Sequence, residues 1–216
     1  MRKLFLLSLT LLSLFVSSCS TSTPPPPTPV VVSVYSTSAA ESWLYELYEC
    51  GTAYNNAVIS RVDDPSAADI SLRVGEPEVL SGSAFQIDTE EILVVTQRQS
   101  PVQNLTLEQT QTLFAQGDAN ASVQVWVYAS DADVQQVFDQ LVMAGRSVTP
   151  SAKIAVNPQQ MSDTLVNEPN TVGILPKHWK MGDSRFVLAI PKIPVLALTK
   201  SEPQGVIKEL ISCLQK

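Results

Sequence analysis

The chain has 216 residues, of which 44% are hydrophobic and 16% charged, and its formal net charge is −7. An acidic chain without a basic cluster does not neutralise phosphates. We therefore do not expect it to bind nucleic acid, or to adhere to anionic lipid through its folded body. The length allows a substantial core, arranged as one domain or as two small lobes.

The first 18 residues have the pattern of a secretory signal peptide. Met1-Arg2-Lys3 precedes an apolar run from Leu4 to Val16, which is shorter than the roughly 20 residues of a membrane span. The run ends in Val16-Ser17-Ser18-Cys19, which resembles the bacterial lipobox. We therefore predict cleavage after residue 18 and lipidation of Cys19. The alternative is an ordinary signal peptide that ends near a cysteine by chance.

The segment from residue 19 to residue 29 is predicted to tether the folded body to the membrane. Its serine, threonine and proline residues bury little, and a proline-rich chain stays extended at about 3.1 Å per residue, so ten residues span about 30 Å. Removal of Arg2 and Lys3 with the signal peptide leaves 12 basic and 21 acidic residues. We expect anchoring in a cell membrane through Cys19, facing either a periplasm or the exterior.

Strands and helices are predicted to alternate through the rest of the chain. The strands are predicted at residues 29–35, 57–62, 68–74, 91–97, 123–129, 152–156, 171–176, 185–190 and 194–199. The helices are predicted to begin at a Ser38–Glu41 capping box, at a Thr106–Gln109 capping pair, at Ser130 (ending at Gly145), at Asn157-Pro158 and near Pro203. This alternation is typical of an α/β fold with mostly parallel sheets. Residues 75–86 are the least regular stretch, which favours a crossing or lid segment.

Two cysteines, Cys50 and Cys213, remain once Cys19 carries lipid. Outside the cytoplasm an even pair favours a disulfide, and two buried free thiols acting as small hydrophobic side chains are the alternative. Cys50 ends the first predicted helix and Cys213 lies on the apolar side of the last one, so the two helices could be neighbours.

The sequence has no recognisable catalytic constellation. Its single histidine, His178, stands beside Trp179 between two lysines, and we interpret it as a surface or edge residue. There is no glycine-rich phosphate loop and no G-x-S-x-G nucleophile elbow. One histidine and no remaining available cysteine make a transition-metal site improbable. We therefore predict a protein that is not an enzyme and that holds no cofactor and no metal.

Two junctions have the same order of strand, small polar loop and helix. They are Tyr35-Ser36-Thr37-Ser38 and Tyr128-Ala129-Ser130-Asp131. In open α/β sheets ligands bind outside the carboxyl ends of the strands, where helix N-termini offer unpaired N–H groups to anions. The alternative is that both loops are ordinary helix caps with a structural role only.

A run of ordered motifs resembles the phosphate-type solute-binding proteins of ABC transporters. The stretch VTQRQSPVQNLTLEQTQTLFAQG matches the family's N-P-x-x-x-L-T-x-x-Q and I/L-F-x-G segments at Pro101, Leu105, Thr106, Gln109, Leu113, Phe114 and Gly117. Downstream, VWVYASDADVQQVFDQLV is similar to the family's strand, Ser-Gly-Thr loop and helix, and NTVGILP to its G-x-I-G-Y strand. The resemblance covers residues 30–216 and is strongest over 91–176.

The resemblance implies a two-lobed α/β fold of the type 2 periplasmic-binding-protein class, with mostly parallel sheets and two hinge crossings. Lobe one would hold residues 30–97 and 192–216, and lobe two would hold residues 98–191. A ligand would lie between the lobes at the two loops, and closure would be a hinge motion. The expected ligand-binding residues are Ser36, Thr37, Ser38, Arg73 and Ser130.

Two places depart from the family's pattern. The Ser-Gly-Thr loop reads Ser130-Asp131-Ala132, which removes a hydroxyl and adds a carboxylate. Leu72-Arg73-Val74 stands where the family has polar, ligand-contacting residues after A-D-I. Arg73 could clamp an oxyanion with two hydrogen bonds, or it could face solvent at the end of a strand.

The leading hypothesis is a monomeric, lipid-anchored receptor that captures a small solute and presents it to the permease of an ABC transporter. An oxyanion is one candidate for that solute. The alternative is a structural or interaction lipoprotein that keeps the binding-protein fold without a ligand. A cell-surface enzyme is a third hypothesis, and the absence of a catalytic constellation disfavours it.

Overall fold

The computed structural model describes residues 28–54, 57–118 and 122–215. The predicted signal peptide, Cys19 and most of the predicted tether lie outside the described residues. Within these ranges the chain forms eight strands: β1 (Val30–Ser36), β2 (Ala57–Arg61), β3 (Ile70–Val74), β4 (Ser83–Gln97), β5 (Gln124–Tyr128), β6 (Lys153–Ala155), β7 (Thr171–Pro176) and β8 (Ser184–Thr199). The helices are α1 (Glu41–Ala53), α2 (Leu107–Gln116), α3 (Asp133–Phe138), α4 (Pro158–Asn167) and α5 (Gly205–Leu214).

All eight strands join one sheet in the order β2-β1-β3-β8-β4-β7-β5-β6. The pairings of β1 with β2 and β3, and of β5 with β6 and β7, are parallel. The long strands β4 and β8 are antiparallel to each other and to their outer neighbours. The predicted α/β class is confirmed, and the strands of both predicted lobes join one continuous sheet.

The sheet divides into two similar halves, because β4 and β8 each run through its centre. In β4, Ser83–Glu90 pair with β8 from Thr199 back to Ile193, whereas Ile92–Gln97 pair with β8 from Ile190 back to Ser184. The register shifts between Glu90 and Ile92. We refer to residues 28–90 and 193–215 as the first half and to residues 92–190 as the second half.

This pairing places Ile92–Thr96 beside β7, deep in the second half. The first crossing between the halves is therefore near residue 91, whereas the resemblance implies that lobe one extends to residue 97. The second crossing lies close to the expected residues 191–192. The division into two lobes that move about these crossings stays a proposal.

Several element boundaries differ from the prediction. The two strands expected at 185–190 and 194–199 form the single strand β8, and β4 begins at Ser83 rather than residue 91. The helix expected from Ser130 to Gly145 begins at Asp133 and continues into a π-helical turn at Asp139–Met143. The Thr106–Gln109 capping box and the Asn157 cap are confirmed.

The predicted Ser38–Glu41 capping box is wrong. Helix α1 begins after Ala40 without a side-chain cap, and Thr37 Oγ1 instead accepts a hydrogen bond from the Ala40 amide at 3.3 Å. The apolar face of α1, which includes Trp43, Leu44 and Leu47, is buried as its spacing predicts. One continuous hydrophobic cluster runs through both halves.

Helices α1 and α5 are joined covalently in the first half. Cys50 and Cys213 form a disulfide with their Cα atoms 6.0 Å apart, and the bond links positions separated by 163 residues. Of the two arrangements that the sequence leaves open, the structure contains the bridge rather than two free thiols.

Candidate functional site

The first junction lies where β1 ends at the middle of the sheet. The Thr37 amide donates a hydrogen bond to the Leu72 carbonyl at 3.0 Å, which fixes the loop beside the end of β3. The Thr37 hydroxyl then points to the second half, where it donates a hydrogen bond to Asp133 Oδ2 at 2.6 Å. The first loop therefore contacts the second half directly.

Asp133 is the acceptor on which this contact depends. Its Oδ2 also accepts a hydrogen bond from the Val74 amide at 2.8 Å, and its Oδ1 accepts one from the Val134 amide at 2.9 Å. The residue is only 4% exposed. One buried carboxylate thus satisfies donors from β3, from the first loop and from its own helix.

A glycine allows the two halves to approach closely at this point. Gly75 follows β3 with φ at 77°, and a Cβ built on it would lie 2.3 Å from Val137 Cγ2 of α3. A side chain here would therefore require both an unfavourable backbone conformation and a shift of the Val137 side chain.

Arg73 bridges the halves beside Asp133. Its Nε donates a hydrogen bond to the Gly75 carbonyl at 3.0 Å and its Nη2 donates one to Gln136 Oε1 of α3 at 2.9 Å. Burial lowers the pKa of the Arg73 guanidinium, and the negative charge of Asp133 opposes that effect. Of the two roles that the sequence left open for Arg73, the half-buried position between the halves agrees better with a role in the cleft than with a solvent-facing strand end.

The hydroxyl of Tyr128, at the end of β5, is buried and has no hydrogen-bond partner among the described residues. Burial raises the pKa of Tyr128 well above its ordinary value, and the charge of Asp133 raises it further. The centre of the contact between the halves therefore contains both a satisfied carboxylate and an unsatisfied phenol.

A cavity of about 560 Å³ adjoins these residues. Its walls come from both halves, with Thr37 and Arg73 on one side and Asp131 and Asp133 on the other. Hydroxyl-bearing side chains contribute much of the remaining polar surface: Tyr35, Ser66, Ser71, Ser81 and Thr199. A volume of this size is within the range of small-molecule sites.

The structure brings together only part of the predicted set of ligand-binding residues. Thr37 and Arg73 line the cavity. Ser36 is buried and its hydroxyl donates a hydrogen bond to the adjacent Thr37 carbonyl at 3.0 Å. Ser38 and Ser130 are exposed and do not line the cavity. The predicted capping of the third helix by Ser130 is wrong, because α3 begins after Ala132 without a side-chain cap.

The sequence interpretation missed Asp133 and Gln136. Both follow the second loop, and the sequence contains two acidic candidates there, Asp131 and Asp133, separated by two positions. The first turn of a helix favours acidic residues whatever their role, so the pattern gave no reason to choose between them. An Asp at the end of a predicted strand–loop–helix junction, facing a second such junction, is the signal that would have identified it.

A second contact between the halves involves His178, which is an exposed residue, as the sequence predicts, although its side chain is only 27% exposed. Its Nδ1 pairs with Oε2 of the buried Glu90, where β4 crosses between the halves. The His178 ring also lies edge-on to Trp43 of α1, with 4.9 Å between the centroids. This cluster fastens the turn after β7 to the first half.

The described residues contain neither a cluster suited to a metal ion nor a membrane-spanning helix. Among residues 28–54, 57–118 and 122–215, no cluster of three or more His, Cys, Asp or Glu side chains is arranged to hold a metal ion. Over the same ranges, no helix combines the length and the apolar character that crossing a membrane requires.

The fold is shared with solved structures of transport proteins and regulators. A candidate phosphate ABC transporter substrate-binding protein from Clostridium perfringens, solved with bound phosphate, superposes with a TM-score of 0.72 at 15% identity, over 86% of this chain and 93% of that one. An ABC-type phosphate transport receptor from Vibrio cholerae gives a TM-score of 0.66 at 19% identity, over 87% and 94% of the two chains.

The regulatory domain of CcmR from Synechocystis, in complex with 2-PG, gives a TM-score of 0.63 at 11% identity, over 88% of this chain and 96% of that one. No protein-family model and no curated protein sequence matches this chain. At these identities the superpositions establish a shared fold, which is the fold of the phosphate-type binding proteins that the sequence resembles.

Proposed function

We propose that this protein is an extracytoplasmic solute-binding protein that holds a small solute between its two halves and presents it to an ABC-type transporter. The observation that carries the proposal is the cavity of about 560 Å³ that both halves line, with Thr37 and Arg73 in its wall. The fold shared with phosphate-transport receptors supports the same reading. The solute would carry an anionic or strongly hydrogen-bond-accepting group, because Arg73 is the cation of the cavity wall nearest the contact between the halves.

Arg73 is suited to this role because its position is fixed by internal hydrogen bonds. Gly75 and Gln136 use Nε and Nη2, and no described residue accepts a hydrogen bond from Nη1. A guanidinium held in this way loses little side-chain entropy when it binds an acceptor. Because Gln136 belongs to the second half, the same contact would couple binding to the relative position of the halves.

The test is a thermal-shift screen of the full-length protein in detergent against inorganic anions, amino acids and sugars, followed by titration of each hit. A ligand at 100 times its dissociation constant should add about 2.7 kcal/mol to the free energy of unfolding. Arg73→Ala should weaken binding roughly 10- to 150-fold, since a hydrogen bond to a charged group contributes about 1.5–3 kcal/mol. Arg73→Lys keeps the charge and should lose less.

The matched control is Arg61→Ala. Arg61 is an exposed arginine of the edge strand β2 that pairs with Glu41 at 2.6 Å and does not line the cavity. The control should bind the solute with unchanged affinity. Equal affinities for the wild type, Arg61→Ala and Arg73→Ala would remove Arg73 from the site, and a screen without any hit would refute the solute-binding proposal.

The membrane anchor is part of the proposed function. The lipobox-like sequence before Cys19 and the proline-rich segment after it support a lipid anchor that holds the body outside the membrane. Cys19→Ala should move the protein from the membrane fraction to the soluble fraction. Continued membrane association of that variant would refute lipidation at Cys19.

A second candidate function is an interaction lipoprotein that keeps the fold without a ligand. The specific observation in its favour is that the halves already contact each other through Thr37, Val74 and Asp133, so no solute is needed to join them. This candidate predicts an empty screen together with a closed shape in solution. Small-angle scattering that shows an open form would contradict it.

A further inference from the structure

Three hydrogen-bond donors converge on one buried carboxylate between the halves. The Thr37 hydroxyl and the Val74 amide of the first half reach Asp133 Oδ2 at 2.6 and 2.8 Å, and the Val134 amide reaches Oδ1 at 2.9 Å. We propose that Asp133 is an internal ligand: its carboxylate occupies the position where a free oxyanion would bind, and it excludes such an anion. The inference does not rest on the proposed function, because it concerns only which anions can bind at the position of the Asp133 carboxylate.

The donor set is of the kind that binds an anion. Backbone amides and a hydroxyl held by a rigid fold stabilise negative charge without reorganising, and charge-assisted hydrogen bonds of this kind are short and strong. The donors come from three separate elements: the first loop, the end of β3 and the start of α3. A side chain that only completed its own helix would not need the two donors from the other half.

The charges around the position agree with this reading. Arg73 lies close enough to Asp133 for the carboxylate to influence it electrostatically, and it is fixed across the cleft by Gln136. In the wild type the carboxylate compensates the guanidinium. Without the carboxylate, one positive charge and three donors would remain uncompensated, and the phenol of Tyr128 is a further buried group without a partner among the described residues.

A free oxyanion cannot share this position with Asp133. Two like charges within hydrogen-bonding distance of the same donors repel strongly in a partly buried site. The wild-type protein therefore excludes inorganic phosphate and sulfate from the position of the Asp133 carboxylate. A solute in the cavity of about 560 Å³ would contact Arg73 from the cavity and would not enter the position that Asp133 occupies.

The experiment is a gain of binding. Isothermal titration of the full-length protein with inorganic phosphate, and separately with sulfate, should give no measurable binding for the wild type at millimolar anion. Asp133→Ala should bind phosphate at least about tenfold more tightly than the wild type, which corresponds to about 1.4 kcal/mol. Phosphate should then raise the melting temperature of Asp133→Ala and leave that of the wild type unchanged.

Two controls separate this inference from a non-specific change of charge. Asp131→Ala removes the neighbouring, exposed carboxylate of the same cavity wall and should gain no phosphate binding. Asp133→Ala combined with Thr37→Val should lose most of the gained affinity, because the hydroxyl donor is then absent. If Asp133→Ala does not fold, Asp133→Ser decides, because its short side chain keeps one oxygen acceptor at the start of α3 and vacates the position of the carboxylate.

Some outcomes would overturn the inference. A wild type that binds phosphate as tightly as Asp133→Ala would show that the carboxylate excludes nothing. A folded Asp133→Ala or Asp133→Ser variant that binds neither anion would show that the donors do not form an anion site. An equal gain in Asp131→Ala would trace the effect to net charge. These results are independent of any hit of the wild-type solute screen other than phosphate or sulfate.

Discussion

The two halves of the molecule hold their helices in different ways. In the first half, α1 and α5 come from opposite ends of the chain and are joined by the Cys50–Cys213 disulfide. In the second half, α2 and α3 are near neighbours in the sequence and pack through Phe114 and Phe138, whose ring centroids are 4.7 Å apart. A contact between distant segments costs more chain entropy than one between near neighbours, so the covalent bond is found where that cost is larger.

The comparison teaches that the first half depends on the second half more than the reverse. The first half is assembled from two segments that flank the second half in the sequence, and it can form only when β8 returns across the sheet. The disulfide removes part of that cost by restricting the unfolded chain. The second half is a single stretch and can rely on packing.

Removal of the disulfide should have the largest effect on stability. The double variant Cys50→Ala, Cys213→Ala should lower the free energy of unfolding by up to about 5 kcal/mol, because the bond closes a long loop between positions separated by 163 residues. Urea unfolding followed by circular dichroism measures the change. Cys19→Ala is the control, since it removes a cysteine outside the pair and should leave the free energy of unfolding unchanged. If the double variant lost less than about 1 kcal/mol of unfolding free energy, the first half would not depend on the disulfide in the way that the comparison of the halves implies.

Truncation of the aromatic pair should lower the free energy of unfolding by nearly as much, but through lost packing rather than through chain entropy. Phe138 is completely buried, and Phe138→Ala should cost about 3–5 kcal/mol from lost contacts and the cavity that remains. Phe186→Ala, at an exposed phenylalanine of the same half, should change stability by less than about 0.5 kcal/mol.

The two variants also separate the halves by their response to reductant. In Phe138→Ala, reduction of the disulfide should lower the free energy of unfolding by as much as it does in the wild type. In the cysteine double variant, reductant should not change the free energy of unfolding. If Phe138→Ala cost less than about 1 kcal/mol, the second half would not depend on this aromatic contact.

The periodicity of the sequence predicts the elements well where one face or both faces are buried. Strand β7 is buried along its whole length and its predicted bounds are those of the structure. Strand β8 spans the two strands predicted at residues 185–190 and 194–199; Pro191 and Pro194 lie in the gap between them and at the start of the second, respectively. The structure places them beside the register shift where β4 and β8 cross between the halves, a position that tolerates a missing amide donor.

The candidate site could be predicted only in part, for a physical reason. Thr37 follows β1 and Arg73 lies near the end of β3, and these strands are parallel neighbours, so topology alone places both residues at the carboxyl ends of the strands, where the cleft lies. Ser130 lies in the loop before α3 and Asp133 is the first residue of α3, and no periodicity distinguishes the two positions. The choice between them depends on the distance between the halves, which no local pattern encodes. The π-helical turn at Asp139–Met143 is a rare element that the sequence pattern does not predict.

The smallest effect concerns a partly buried acid of the second half, Asp139. Burial raises the pKa of its carboxyl group, and a hydrogen bond from Gln135 Nε2 to Oδ1, 2.8 Å long, opposes that shift. A carboxyl group with a raised pKa binds its proton more tightly in the folded state than in the unfolded state. Its contribution to stability is therefore lost as the pH rises above the unfolded value of about 4. Asp139→Asn, which has no proton to release, should not lose this stability as the pH rises.

The expected gain for Asp139→Asn is roughly a few tenths of a kcal/mol at pH 7 and none near pH 3, where the carboxyl group is protonated in both states. The sign follows from burial being the larger influence on the group. Asp163→Asn is the matched control, because Gln159 Nε2 donates to Asp163 Oδ1 at 3.0 Å with the same spacing on α4, but at an exposed position. Thermal unfolding at both pH values measures the two differences. A gain for Asp139→Asn that is equal at pH 3 and pH 7, or that is matched by Asp163→Asn, would assign the effect to helix preference instead of the buried charge.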